Sequence, residues 1–392
     1  MERMSGPSSA TGLRILIAIG VPRQQEAGAA AVVLNHAREL ERRGHNVVCW
    51  FLEDVPARRI KWMRFQDLQF AVAVAKRIVK GTEQFDVVNI HAPWGCAYGV
   101  WRNLVRSVGA PAYVMTMQGS EDRFVRAMRI EHRRGRAPNF GLKNRLWHRL
   151  YHQTMYDFSI MTADYGAVAN REGWIHSELK YHREPGRLWF VPNGTEDRFF
   201  LKREYPDKPE VRLLYVGTWL DRKGVHYLAE AFRILAAKLP GVRLTVAGCS
   251  LREEEIRKSF APATQDRLTA IPFVTRDEMP SLYGAHDVFV FPSLVEGMPL
   301  TLLEAMASAM PVVTTETSGM ADVVEHGVNG LLVPPADSER LADAVQRVCV
   351  SGDLRKQLGQ AAQITMRRYT WERVVERLEA VLRRASENRA AH

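Results

Sequence analysis

Two glutamates, Glu296 and Glu304, stand with seven residues between them in the stretch SLVEGMPLTLLEAMASAMPVV (293–313), and a Gly-Met-Pro turn follows the first. The apolar run DVFVF (287–291) before them reads as a strand, so PSLVEGMP is the loop at its carboxyl end and LTLLEAMASAM is the helix that follows. Glu296 then lies in the loop, and Glu304 about one turn into the helix. The start of that helix offers unpaired N–H groups and the positive end of its dipole, a site for phosphate. Gly297 permits close approach of backbone to a ligand. A carboxylate beside phosphate is electrostatically awkward unless its oxygens meet hydroxyl donors, and a ribose or hexose supplies adjacent hydroxyls. The arrangement reads as a nucleotide-sugar site. The competing reading is a solvent-facing glutamate pair on an ordinary surface helix, which the spacing alone would favour.

A second candidate is Asp221-Arg222-Lys223-Gly224 (DRKG), a loop pair of cations suited to a diphosphate. Arg222 offers a bidentate fork and Lys223 a compact charge, and together they could neutralise the charge developing on a departing nucleoside diphosphate. A solvated loop pair is the plainer alternative. Nearer the amino terminus, His91 and Trp94 (NIHAPWG) end a strand in position to face a cleft. His91 could equally be a satisfied strand-end histidine, and Trp94 a cover for the core. No DxD sequence occurs, so no paired carboxylates stand ready to hold a divalent metal against a diphosphate.

The elements that must position these residues follow from length and pattern. A chain of 392 residues fits two domains of about 150–200 residues each. Hydrophobic residues make up 46% and charged residues 25%, a globular mixture that argues against extensive disorder. Met1–Gly12 is Ser/Gly/Pro-rich, is expected to be flexible and lacks a signal-peptide core, and no run of about 18 apolar residues could span a bilayer. The expectation is a cytoplasmic protein, with peripheral attachment to the inner face of the cell membrane left open. Cys49, Cys96, Cys249 and Cys349 are far apart and imply neither disulfides nor zinc.

Strand-like runs alternate with helical ones. LRILIAI (13–19), a helical stretch to Gly44 and NVVCWFL (46–52) form a βαβ unit. DVVNIH (86–91), a helix near 97–108, AYVMTM (112–117) and a strand at Ser159–Ala163 continue it. The same order restarts at VRLLYVG (211–217), with a helix, VRLTVAG (242–248) and further strands at 268–272, 287–291, 311–314 and 330–333. Near-continuous apolar strands suit parallel sheets covered on both faces. The polar, proline-containing FFLKREYPDKPE (199–210) separates the two series. The expected domains are 13–200 and 201–368, followed by a C-terminal helix in 369–392 that returns to the first domain. No GxGxxG stands at either first βα turn, which removes the fingerprint a Rossmann-type oxidoreductase needs.

Charge is uneven. Residues 1–200 hold 29 of the 54 Lys+Arg and 19 of the 44 Asp+Glu, so this half carries the whole net +10. The density peaks in RFVRAMRIEHRRGRAPNFGLKNRLWHR (123–149), where Phe, Met, Leu and Trp interleave the arginines. Three readings stand: a basic amphipathic face on anionic lipid, a clamp for an anionic acceptor such as a lipid-linked diphosphate sugar, or a solvated charged surface. Nucleic acid is not expected as a partner, because no recognised nucleic-acid fold accompanies the charge.

The stretch EGMPLTLLEAMASAMPVVTTETSGMADVVEHGVNGLLVPPAD resembles the signature of retaining GT-B glycosyltransferases, the large family-four group with Glu-x7-Glu. VPNGTEDRF (191–199), LLYVGTWLDRKGVHYLAEAF (213–232), RLTVAG (243–248), the YGAHDVFVFPS approach and the closing YTWERVVERLEAV resemble it in order and spacing, so the resemblance covers nearly the whole chain. It implies an α/β GT-B architecture: two doubly wound Rossmann-like parallel-sheet domains facing across a cleft. It implies that Glu296 contacts the transferred sugar and Glu304 the ribose. It also implies that the backbone of Gly297, Met298, Leu300 and Thr301 faces sugar and diphosphate, and that Lys223, with Arg222, holds the diphosphate. Gly28 matches the second glycine of the family's Gly-Gly, where this chain has Ala27, and Ala30 stands where a Glu or Gln is common. Thr218 replaces a frequent Arg, which Arg222 could substitute. Gln118 stands where many relatives carry His; a Gln can hydrogen-bond a sugar but cannot take its proton. Base contacts would come from backbone near Phe273 and Val274.

The resulting expectation is a retaining, metal-independent transfer of a hexose from a nucleotide diphosphate sugar to an acceptor hydroxyl, in polysaccharide, lipopolysaccharide or glycolipid synthesis, with no cofactor. Glu296, Arg222 and Lys223 carry the chemistry, and His91, Trp94 and Gln118 are the acceptor-side candidates. The alternative is a non-catalytic basic adaptor, for a membrane surface or nucleic acid, on a degenerate scaffold. A two-carboxylate hydrolase is a weaker rival, since it would leave Arg222 and Lys223 without a role.

Overall fold

Short runs of Val, Ile, Leu and Tyr with few charges form strands that are buried on both faces and need helices on either side. The structure, a computed structural model, describes residues 12–23, 28–55, 65–81, 83–105 and 109–390. The flexible start expected for 1–12, and Ala27 of the Ala-Gly pair, lie outside these residues except for Gly12.

The first sheet contains β1 (Arg14–Ala18), β2 (Asn46–Trp50), β3 (Val87–His91), β4 (Ala112–Met117), β5 (Tyr165–Val168) and β6 (Leu188–Phe190). They pair in the order β2-β1-β3-β4-β5-β6, all parallel. The second contains β7 (Val211–Val216), β8 (Val242–Ala247), β9 (Leu268–Ile271), β10 (Val288–Phe291), β11 (Val312–Thr315) and β12 (Leu331–Val333). It is also parallel, in the order β12-β11-β10-β7-β8-β9. Both are doubly wound. The order reverses between β1 and β3 in one sheet and between β7 and β10 in the other, and crevices for ligands open beyond the carboxyl ends at such points.

The strand expected at Ser159–Ala163 is instead the end of a helix, Gln153–Thr162, and the strand follows at β5. Ser159 and Ile160 are buried as a helix face, so a short apolar run was satisfied by the other periodicity. β6, Leu-Trp-Phe, is only three residues long, shorter than the run of four or more that marks a strand.

The polar segment between the sheets is strapped to the second domain. Arg203 donates to the carbonyls of Ser308, His286 and Tyr283 at 3.1, 2.5 and 2.6 Å, and the Tyr205 hydroxyl donates to Ala309 O at 2.6 Å. At the carboxyl end, helix Trp371–Ala390 packs on helix Gly28–Arg42 and on β4 of the first sheet. Val374, Val375, Leu378, Val381 and Leu382 form its buried stripe. Glu379 on its flank meets Arg43 Nη1 at 3.2 Å and His45 Nε2 at 3.0 Å. The chain therefore crosses between domains twice, once at each end of the second domain. Leu378→Ala should cost about 2–5 kcal/mol and lower the thermal midpoint by several degrees, whereas Arg377→Ala, on the exposed face, should stay within about 0.5 kcal/mol.

Candidate functional site

The loops after β7 and β10, at the reversal point of the second sheet, are stitched together. Gly224 adopts φ +70 and begins helix Val225–Lys238; a side chain there would run into the carbonyl of Pro292. Leu294 N donates to Arg222 O at 2.8 Å, and Ser293 Oγ to the same carbonyl at 3.1 Å. This seam places Arg222 and Lys223 against Glu296. Oε1 of Glu296 meets Arg222 Nη1 at 2.9 Å, Lys223 Nζ at 2.7 Å and Ser293 Oγ at 2.7 Å. Burial pushes the Glu296 carboxyl up, but Lys223 and then Arg222 more than offset it and hold the group below the usual carboxylate range. Lys223 is drawn below the usual lysine range because its own burial outweighs the pull of Glu296.

Glu304 projects from helix Leu300–Ala307 and is 1% exposed. Tyr283 OH donates to its Oε2 at 2.9 Å, and Arg276 Nη1 pairs with its Oε1. Arg276 was not among the residues expected from the sequence. Its guanidinium also reaches Glu196 Oε1, from Nη2 at 2.8 Å and Nε at 3.1 Å, and lies 4.8 Å from the centroid of the Phe199 ring. Burial would lower its pKa, but Glu304 and Glu196 raise it well beyond the normal arginine value.

Between the two domains lies a cavity of about 500 Å³. Gly28, Gln118, Arg222, Lys223, Val274, Glu296, Gly297, Met298, Leu300, Thr301 and Glu304 all line it, with Thr218 and Arg276. Asn193, within the VPNGT stretch, lines it too; its Nδ2 donates to Met298 O at 2.8 Å, while its buried Oδ1 has no partner among the described residues. The sequence signal for Asn193 was the motif itself, whereas Arg276 had none. Phe273 is not part of the lining and is 65% exposed.

His91 and Trp94, expected at the cleft, do not line this cavity. β3 is covered on both faces, and His91 is buried at its end with burial and then His36 lowering its pKa to about 3, so it is neutral and enclosed. The Trp94 indole donates to Asp67 at 2.9 Å and packs against Gly20 and Phe70. It covers the core, as the plainer reading of that residue had it. Among the described residues, no group of three or more His, Cys, Asp or Glu is placed to hold a metal ion.

The two walls of the cavity touch at its rim. A side chain on Gly297 would overlap the carbonyl oxygen of Gln118. Arg171 N donates to Asp322 at 2.7 Å, and Ser318 Oγ to Glu172 at 3.0 Å. The Arg-rich segment supplies a third contact. Its helix Glu121–Arg133 abuts the Asp221–Lys223 turn, and Arg134 Nη1 donates to Tyr227 OH at 2.7 Å. Tyr227 OH in turn donates to Glu131 at 2.7 Å, and Arg136 lies 4.3 Å over the tyrosine ring. Part of the basic charge is thus spent across the cleft. The rest stays outside: Leu142, Leu146 and Leu150, four residues apart, are 73%, 54% and 65% exposed, with exposed Lys143 and Arg149 beside them and exposed Arg126, Arg129 and Arg133 on the preceding helix.

The glycosyl transferases group 1 family matches residues 197–365. The chain is 29% identical over 179 residues to the alpha-D-kanosaminyltransferase of Streptomyces kanamyceticus, covering 45% of this chain and 46% of that protein. It is 31% identical over 183 residues to the amylovoran biosynthesis glycosyltransferase AmsK of Erwinia amylovora, covering 45% of each. The chain thus spans just under half the length of these two relatives. Sucrose-phosphate synthase from Thermosynechococcus elongatus superposes with a TM-score of 0.77 at 18% identity, over 96% of this chain and 100% of that one. Anabaena HepE, solved with UDP and glucose, gives 0.69 at 17% identity over 95% and 99%. The fold is GT-B.

Gly297→Ala should part the domains at the rim. The expected outcome is a larger radius of gyration by small-angle scattering with secondary structure unchanged by circular dichroism; an unaltered radius would mean that the rim yields locally.

Proposed function

We propose that this chain, whose residues 197–365 match the glycosyl transferases group 1 family, is a retaining hexosyltransferase that uses a nucleotide diphosphate sugar and acts in polysaccharide, lipopolysaccharide or glycolipid assembly. The observation that carries this reading is the convergence of Arg222, Lys223, Glu296 and Glu304 on one interdomain cavity with the start of helix Leu300–Ala307. The helix N–H groups and the two cations suit a diphosphate, and the two carboxylates suit the hydroxyls on either side of it. The names of the relatives agree in reaction class, one a kanosaminyltransferase and the other a glycosyltransferase of amylovoran biosynthesis.

In this reading the bond between the anomeric carbon and the diphosphate oxygen breaks, and its electron pair leaves on the diphosphate. The acceptor oxygen forms the new bond on the same face, and its proton passes to a leaving phosphate oxygen. Arg222 and Lys223 take up the charge that develops there, so a divalent metal is not required for that task. As the diphosphate arrives it competes with Glu296 for these cations. Glu296, held ionised, then accepts from the sugar hydroxyls and orients the ring. Gln118 on the opposite wall is placed to hydrogen-bond sugar rather than to move a proton.

UDP is the first nucleotide to test, since a solved neighbour carries it. A panel of UDP, GDP and ADP sugars with EDTA present should raise the thermal midpoint for one base, and that rise should be lost in Glu304→Ala. Glu296→Gln should lower turnover about 100- to 1,000-fold with the fold intact. No shift with any nucleotide would favour the basic adaptor instead.

The acceptor-side partner in this reading lies at an anionic lipid surface, reached through Leu142, Leu146 and Leu150 and the cations flanking them. No described helix is long and apolar enough to cross a membrane. The protein should sediment with vesicles that are about one-third phosphatidylglycerol, and not with phosphatidylcholine alone. L146E/L150E should abolish that binding while leaving turnover on a water-soluble acceptor unchanged; equal binding by the variant would remove the surface from the reading.

A further inference from the structure

A carboxylate that must accept hydrogen bonds from ribose has to be ionised, and Glu304 is almost fully enclosed. An enclosed, unpaired carboxyl takes up a proton and becomes a donor on one oxygen. Two side chains face it from the protein: Tyr283, a neutral phenol on Oε2, and Arg276 on Oε1. Arg276 brings the only positive charge among the described residues that is paired to it. On the far side of the guanidinium stands Glu196, itself paired to Arg198 Nε at 2.9 Å, and Arg198 Nη1 reaches Asp277 at 2.7 Å. Glu196 lies in the segment that leads from the first domain into the second, six residues after β6 ends.

Arg276 also forms a wall. A second cavity, of about 680 Å³, lies between helix Gly28–Arg42, residues 195–198 and the start of the C-terminal helix. Among the described residues it shares only Ala31 and Arg276 with the first cavity. Arg276 therefore lines both cavities, beside Glu304 in the first and Glu196 in the second.

We infer that Arg276 is a positioning residue for the nucleotide ribose: it keeps Glu304 ionised and aimed, and through Glu196 it ties that carboxylate to the segment joining the domains. This rests on the donor reading above for what Glu304 binds, but not for how Glu304 ionises. In wild type the Arg276 guanidinium is held against the Glu304 carboxylate, and ribose recognition is expected to be flat with pH. In Arg276→Gln the carboxyl sits enclosed without a cation, so its folded-state pKa rises above the unfolded value. Two consequences follow from the sign of that change. Nucleotide binding, which needs the ionised form, weakens as pH falls through the raised pKa. Stability moves the other way, because the folded state now binds the proton more tightly than the unfolded chain, and the variant's deficit shrinks as pH falls.

The test titrates UDP, with GDP and ADP in parallel, into wild type, R276Q and R276K between pH 5.5 and 8.5, and follows the thermal midpoints without nucleotide over the same range. Wild type should bind with a flat profile. R276Q should lose affinity by about tenfold for each pH unit below the raised pKa, and R276K should restore the flat profile. Without nucleotide, R276Q should melt furthest below wild type at pH 8.5 and approach it at pH 5.5, and adding E304Q to R276Q should flatten that dependence. Loss of affinity and stability by the same amount at every pH would show a packing role only and overturn the inference, as would R276Q behaving like wild type. Failure of wild type to bind any of the three nucleotides would sink the donor reading alone, and the melting series would still decide whether Arg276 sets the charge of Glu304.

Discussion

The cleft depends on setting cations against two carboxylates in a place with little water. Glu296 and Glu304 are both largely enclosed; Lys223 and Arg222 are held against the first and Arg276 against the second. The cost of desolvating a carboxylate is several kcal/mol, so neither partner is optional. The two solutions differ in kind. Glu296 shares one oxygen with Arg222, Lys223 and Ser293, a crowded arrangement in which an incoming anion could replace the carboxylate as partner of the cations. Glu304 is fastened by one phenol and by one guanidinium that Glu196 anchors from its other side. One anion stands at a site of exchange and the other at a fixed point.

Topology delivers both. Parallel strands leave their carboxyl ends on one side, and the reversal of strand order between β7 and β10 opens the crevice there. The loops bordering it are the ones that carry Arg222, Lys223 and Glu296. Gly224 lets these loops lie backbone on backbone, and Thr314 Oγ1 on the adjacent strand anchors Phe291 O at 2.7 Å from below. The first domain contributes the opposite wall through Gly28 and Gln118, and the C-terminal helix returns to it, so that both ends of the second domain are tethered to the first.

Much of this was legible because parallel strands covered on both faces leave unmistakable apolar runs, as in AYVMTM and VRLTVAG, and because Glu296 and Glu304 sit within a motif. What escaped did so for definite reasons. SIMTA at 159–163 is as apolar as a strand, and only its burial as a helix face separates the two. His91 and Trp94 were placed by their position at a strand end, which tells nothing of the direction a side chain takes when both faces are covered. Arg276 derives its importance from partners 28 and 80 residues away, and no local pattern records such a meeting. The arginine run was plain, but its division between Tyr227 and solvent depends on how the domains come together.

That division bears on kinetics. Tyr227 is gripped by Arg134 and Glu131, with Arg136 across its ring, and Arg134 is nearly half exposed. A clasp of this kind lies just beyond the turn that holds Arg222 and Lys223, so the cleft cannot widen without breaking it. Ions in solution screen its exposed half. The ease with which the cleft opens is accordingly a quantity that ionic strength adjusts from outside, at a point that touches neither carboxylate.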